Sequence, residues 1–238
     1  MIDIETFIRK RLSLYRAYDI QAERSGRGKE GKLMCGPYLL VSREKGAGGG
    51  AVAQLAGRRL GWQVINNELV DAIAKKADVR RELIESLDER DQATILKTAT
   101  RLLRPRPIEK SGYTKHLREI LLTLGHQGDV VIVGRGAHYV LPSQFGLRAR
   151  LVAPIELRAE RIASRENLSL KAARSEIERS DRERARLARR DFGQSAADPL
   201  NYDVTINTAE LTLEGATDLV LAALQRKLAV KPKGSGSV

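Results

Sequence analysis

The run at 41–53, VSREKGAGGGAVA, combines residue types that can hold phosphate. Gly46, Gly48, Gly49 and Gly50 let the backbone enter positive φ and turn successive N–H groups toward one point. An apolar run, Tyr38-Leu39-Leu40-Val41, precedes the glycines, and Val52, Leu55, Ala56 and Leu60 follow at helical spacing. Strand, glycine loop and helix in that order aim N–H groups and a helix dipole at an anion. The phosphate-cradling pattern G-x-x-x-x-G-K-[ST] ends in a lysine for the β/γ-phosphates and a hydroxyl for Mg2+. Neither is present here. The glycines predict phosphate binding through Gly46, Ala47, Gly48, Gly49 and Gly50, and a tight turn packing a helix on a strand is the alternative use of the same residues.

Phosphoryl transfer depends mostly on positioning and charge neutralisation, so other cations can stand in for the lysine. Arg43 and Lys45 lie in the loop itself. Arg135 lies in Gly134-Arg135-Gly136 directly after the apolar run DVVIV, where an open parallel sheet presents its ligand edge. A third source is the segment 158–190, where ten arginines and one lysine meet six acids. On a helix Arg182, Arg186 and Arg189 share a face, while Asp181 and Arg184 can pair at i, i+3. The same segment can instead be a solvated, ion-paired helix face. Glu68 is a candidate for contact with substrate or metal, or an acid complementing a helix dipole. His116, His126 and His138 are ten and twelve residues apart and form no metal-spaced cluster, so no metal site is expected among the side chains.

These residues require elements to position them. Short apolar runs at 38–42, 63–65, 129–133, 148–153 and 203–207 read as strands. Amphipathic stretches at 49–60, 67–77, about 79–103, 114–126, 155–165, 170–190 and 211–228 read as helices, with Pro105 and Pro107 ending the long middle one. Alternating strands and helices predict an α/β fold with a parallel sheet covered on both faces. Residues 1–33 read as a helix, with Ile4, Phe7, Ile8, Leu12, Tyr15 and Ile20 at helical spacing, followed by a Gly-rich linker. The domain proper spans 34–230, and the tail 231–238 has nothing to pack.

The 238 residues carry 42 Lys+Arg against 30 Asp+Glu, a formal charge of +12, which points to a polyanionic partner. Few aromatics interleave with the arginines, which favours nucleotide phosphate over a nucleic-acid strand, although a basic interaction module stays open as a reading. No apolar run has the length of a membrane span, and the N-terminal stretch lacks the apolar region of a secretory signal. One cysteine, Cys35, fits a reducing compartment, so a cytoplasmic protein is expected.

The segments SREKGAGG at 42–49, VIVGRGAHYVL at 131–141, RIASRENLS at 161–169, SDRERAR at 180–186 and YDVTINT at 202–208 occur in that order. Together they resemble the cytidylate kinase-like family, a branch of the P-loop nucleoside monophosphate kinases, over about residues 36–228. In that branch the loop reads S-R-E-x-G-S-G-G, so a glycine at the lysine position is shared. The resemblance implies a three-layer P-loop domain with a central parallel sheet of about five strands. It also implies a nucleotide-binding arm from the 67–115 helices and an arginine-bearing lid at about 165–195. The implied activity is ATP-dependent phosphoryl transfer, with Mg2+, to a CMP-like monophosphate. The loop with Arg43 and Lys45 would hold the donor, Arg135, Glu68 and Asp181 the acceptor, and Arg182, Arg184 and Arg186 the migrating charge. A nucleotide-binding protein that regulates without turnover is the alternative, favoured by the missing lysine and Ser/Thr.

Overall fold

The computed structural model describes residues 36–87, 89–101 and 113–229. The expected N-terminal helix and linker, Cys35, the Pro105–Pro107 break and the tail all lie outside the described residues. The chain divides into two compact units, one containing Gly36 and Asn67–Gly128, the other Pro37–Asn66 and the chain from Asp129 onward.

The second unit holds a five-stranded parallel sheet: β1 (Tyr38–Arg43), β2 (Gln63–Ile65), β3 (Val130–Val133), β4 (Gly146–Val152) and β5 (Val204–Asn207). The strand order is β2-β3-β1-β4-β5, which puts β1 at the centre with Val41 paired to Val133 on one side and Ala149 on the other. Its helices are α1 (Gly49–Leu60), α6 (Ala137–Val140), α7 (Ile155–Glu166), α8 (Leu170–Leu187) and α9 (Leu213–Ala229). The first unit is helical, with α2 (Asn67–Lys75), α3 (Ala77–Glu85), α4 (Glu89–Arg101) and α5 (Tyr113–Gln127).

The apolar runs Tyr38–Val41 and Val130–Val133 become inner strands, buried on both faces, whereas β2 and β5 form the sheet edges. Leu39, Val41, Val131, Val133, Leu147, Ala149 and Leu151 pack with Val52, Ala53 and Ala56 of α1 and Ala216, Val220 and Leu224 of α9. Each fully buried Val, Leu or Ile contributes roughly 1.5–3 kcal/mol. A Cβ on Gly57 would stand 2.3 Å from Val64 Cγ2, so this glycine lets α1 sit close to β2. At the far end of α7, Asn167 closes the helix in the left-handed region, and the Ser169 hydroxyl caps α8 by accepting from Ala172 N–H at 3.2 Å. Four α7 and α8 residues, Ala159, Ile162, Ala173 and Ile177, form a small core of their own.

Within the helical unit, α2, α3 and α4 each pack on α5, whose Leu117, Ile120, Leu121 and Leu124 are buried. The single helix expected over 79–103 is two. The Ser86 hydroxyl donates to the Leu83 carbonyl at 2.7 Å, Leu87 N–H reaches back to Ile84, and the Gln92 amide donates to the Leu87 carbonyl at 2.7 Å. A serine that bonds its own preceding turn competes with continuation of the helix. Among the described residues no helix is long and apolar enough to cross a membrane.

Candidate phosphate-binding site

The loop leaves β1 at Arg43 and enters α1 at Gly49. Gly46 has φ 85° and Gly48 φ 79°, values that side-chain-bearing residues rarely adopt. Ala47 N–H closes a turn onto the Glu44 carbonyl at 3.2 Å, and Val52 N–H starts α1 on the Gly48 carbonyl at 3.0 Å. Gly48 is the N-cap and no side chain caps this helix, so its first-turn N–H groups keep their donors for a ligand. A Cβ at Gly46 would stand 2.9 Å from Arg158 Cβ and the Arg158 carbonyl, and one at Gly48 2.6 Å from Leu213 Cδ2. The loop path is thereby set by α7 on one side and the start of α9 on the other.

The loop carbonyls are gripped by side chains the sequence reading did not single out. Arg158 of α7 is buried; its Nε donates to the Ala153 carbonyl at 2.8 Å, and its Nη1 to the Lys45 carbonyl at 3.1 Å and to Asp181 at 2.6 Å. Asp181 also accepts from Lys45 N–H at 3.0 Å and from Arg184 at 3.0 Å. The buried Thr208, just past β5, donates to the Ala47 carbonyl at 3.1 Å and is itself braced by Arg161 at 3.0 and 2.8 Å. Glu44 pairs with Arg150 at 3.2 Å and with Arg158 at 3.6 Å. None of these contacts uses the N–H of a loop glycine.

A cavity of about 230 Å³ opens over the loop. Gly46, Gly48, Gly49 and Gly50 line it, together with Arg165 and Arg184, and Arg43, Glu44, Lys45 and Glu166 complete its charged wall. Arg184 also donates to the Arg43 carbonyl at 3.4 Å. Burial, with the nearby Arg158 charge, holds the Arg184 pKa below its usual value, and Asp181 opposes that shift.

The loop glycines, Arg43, Lys45 and Arg184 therefore meet at one cavity. The expected trio of Arg182, Arg184 and Arg186 separates. Asp181 and Arg184 continue the inward stripe of α8 that runs through Ala173 and Ile177 and leads on to Ala188 just past the helix end, whereas Arg182 and Arg186 project on the exposed side. Arg182 is 61% exposed and pairs with Glu178 at 3.6 Å. Asp181 does not stand free in the cavity; it is bound to Lys45, Arg158 and Arg184. Glu68 lies in the helical unit, exposed, in the first turn of α2.

Arg135 follows β3 at the same sheet edge as the loop, since β1 and β3 are paired neighbours. Gly134, Arg135 and Gly136 have φ 80°, 52° and 66°, so an arginine is held in the left-handed region between two glycines. A Cβ on Gly136 would stand 2.3 Å from Phe192 Cε2. Such a strained position persists only where surroundings fix it, and it concentrates at functional sites.

A central parallel sheet flanked by helices, with a glycine loop between its middle strand and the following helix, defines a P-loop kinase type of fold. The chain belongs to the cytidylate kinase-like family, whose sequence profile matches residues 40–210. It is 26% identical to the cytidylate kinase of Halobacterium salinarum over 196 residues, covering 82% of this chain and 93% of that one. It is 25% identical to the cytidylate kinase of Sulfolobus acidocaldarius over 190 residues, covering 79% and 94%. Among solved structures, an uncharacterised protein from Eubacterium ventriosum shares the fold at a TM-score of 0.55 and 19% identity, over 82% of this chain and 99% of that one. The family expectation is confirmed, and the chain is nucleoside monophosphate kinase-like.

Proposed function

We propose that this protein transfers the γ-phosphoryl group of ATP to a nucleoside monophosphate, with a CMP-like acceptor. The observation that carries this reading is the cavity in which N–H donors at the start of α1 face arginines from α7 and α8. The N–H groups would take the donor phosphates, and Arg43, Lys45 and Arg184 would neutralise charge as it migrates. Arg135, at the neighbouring strand end, offers a planar fork for the acceptor phosphate or a base carbonyl. The acceptor's base is drawn from the relatives, which are named cytidylate kinases.

Mg2+ normally keeps several waters and binds through substrate phosphates plus one or two carboxylates. Among the described residues no group of three potential ligands gathers to hold a metal alone. The cavity carboxylates are Glu44 and Glu166, and both are ion-paired to arginines. That donor set fits an ion carried by the nucleotide, whose role would be to draw negative charge from the phosphates.

Calorimetric titration with ATP and with CMP, UMP, AMP and GMP tests the reading. ATP should bind, and CMP should be the tightest monophosphate. Arg135→Lys keeps the charge but loses the fork, so it should weaken the monophosphate and spare ATP. If both ligands weaken equally, Arg135 serves the donor or the fold. A second reading, nucleotide binding without turnover, draws on the absent lysine and Ser/Thr at the loop's end. It predicts ATP binding with no product from any acceptor.

A further inference from the structure

Lys45 stands at the variable position of the loop and lines the phosphate cavity. Its Nζ lies 2.6 Å from Glu176 Oε1, on the first half of α8. The two side chains are partly exposed, at 20% and 26%. On its other side Glu176 is held by Arg179, whose Nη2 lies 2.8 Å from both carboxylate oxygens and whose Nε lies 2.9 Å from Oε2. These two cations hold the Glu176 carboxyl at a pKa of about 2, so it is charged throughout the physiological range.

We propose that Glu176 is an internal counter-ion that occupies the Lys45 ammonium until a phosphate oxygen displaces it. Lys45 then supplies the mobile cation that the glycine sequence lacks, and Glu176 sets how readily it is released. The inference rests on the phosphate-site reading above.

Three features make the exchange feasible. A partly exposed ion pair is weak, because water screens it and both side chains lose freedom in making it, so a multiply charged phosphate can compete with it. The departing carboxylate keeps its two-oxygen contact with Arg179 and its access to water, so no charge is stranded. The Lys45 backbone is fixed separately, its N–H by Asp181 and its carbonyl by Arg158, so the ammonium can move while the loop keeps its shape. Asp181 and Arg184 lie further along α8 than Glu176, so the exchange frees one tie between α8 and the loop and leaves their contacts with Lys45 N–H and the Arg43 carbonyl in place.

The test is calorimetric titration with inorganic pyrophosphate of the full chain in four forms: wild type, Glu176→Gln, Lys45→Met and the double variant, with melting temperatures as a check on folding. Glu176→Gln should bind about two- to fivefold more tightly than wild type, the range set by a partly exposed ion pair. Lys45→Met should bind more weakly than wild type, and adding Glu176→Gln to it should restore nothing. A gain that persists unchanged in the Lys45→Met background would show a general charge effect and overturn the proposal, as would Glu176→Gln binding no tighter than wild type. In either case the phosphate site itself would stand, provided wild type binds pyrophosphate. If none of the four forms binds, the phosphate-site reading falls and the counter-ion role with it.

Discussion

Arg184 donates to Asp181 and lines the phosphate cavity, whereas Arg182, two positions earlier, pairs with Glu178 on the exposed side of α8. A charge helps phosphoryl transfer only where negative charge develops, so the two residues should differ in their effect on rate. Arg184→Ala should lower kcat by about 10- to 1,000-fold, the range for charge-stabilising groups. Arg182→Ala should leave kcat within about fivefold, as a surface pair worth at most about 1 kcal/mol implies. Steady-state kinetics of the two variants decides this, and equal losses would place the solvent face of α8 in the reaction. His138 gives a separate test. Its pKa is pushed down to about 4 by burial and by the charges of Arg148 and Arg150. The unfolded chain protonates this histidine first as pH falls below its usual 6.5, so the stability it contributes is complete above that value. That contribution, at most about 3 kcal/mol, should be lost as pH falls toward 4, and His138→Gln should flatten the melting-temperature profile over this window. A wild-type profile no steeper than the variant's would refute it. The glycines, Arg43, Lys45 and the Asp181–Arg184 pair were legible as residue types and spacings. The separation of Arg184 from Arg182 and Arg186 was readable in principle, because Asp181 and Arg184 extend the stripe of Ala173 and Ile177. Arg158 was not, since a buried arginine in a charged helix looks like its exposed neighbours until its partners are known.

The N-terminus of α1 is the element on which anion binding depends. Gly50 lies in its first turn, and a Cβ there meets nothing within 4 Å. Gly50→Asp should therefore fit without strain, remove the flexibility of a helical glycine and complement the helix dipole, raising stability by about 0.5–1.5 kcal/mol. The same carboxylate would stand in the cavity and repel phosphate, so ATP affinity should fall about tenfold or more. Paired melting and calorimetric titrations check both signs, and an unchanged ATP affinity would move the donor away from this helix. Valine at Gly48 is a poorer probe, because φ 79° and the nearness of Leu213 would strain the loop itself. The inner strands β1 and β3 were legible because inner parallel strands are continuous apolar runs; the edge strand Gln63–Ile65 has only Val64 and Ile65 to mark it. The interruption between α3 and α4 was missed because a serine's back-bond to its own turn leaves the periodicity of the helix intact.

The chain as a whole carries +12, and the cavity at the carboxyl end of the central strand gathers Arg43, Lys45, Arg165 and Arg184 at the loop. Composition alone could not say whether that excess meets a strand of nucleic acid or a nucleotide. The ordered set of motifs decided the family, and the fold places the loop and Arg135 at one edge of one sheet. What the sequence could not convey is how the loop is held, because its supports, Arg158 and Arg161 on α7 and Thr208 past β5, come from two distant places and act only through folded contacts. The central claim is phosphoryl transfer without a loop-end lysine. Its most direct measurement is phosphorus NMR of the protein with ATP, Mg2+ and CMP. The account predicts ADP and CDP appearing in equal amounts at a rate that falls in Arg184→Ala. ATP bound with no diphosphate formed from CMP, UMP, AMP or GMP would contradict it.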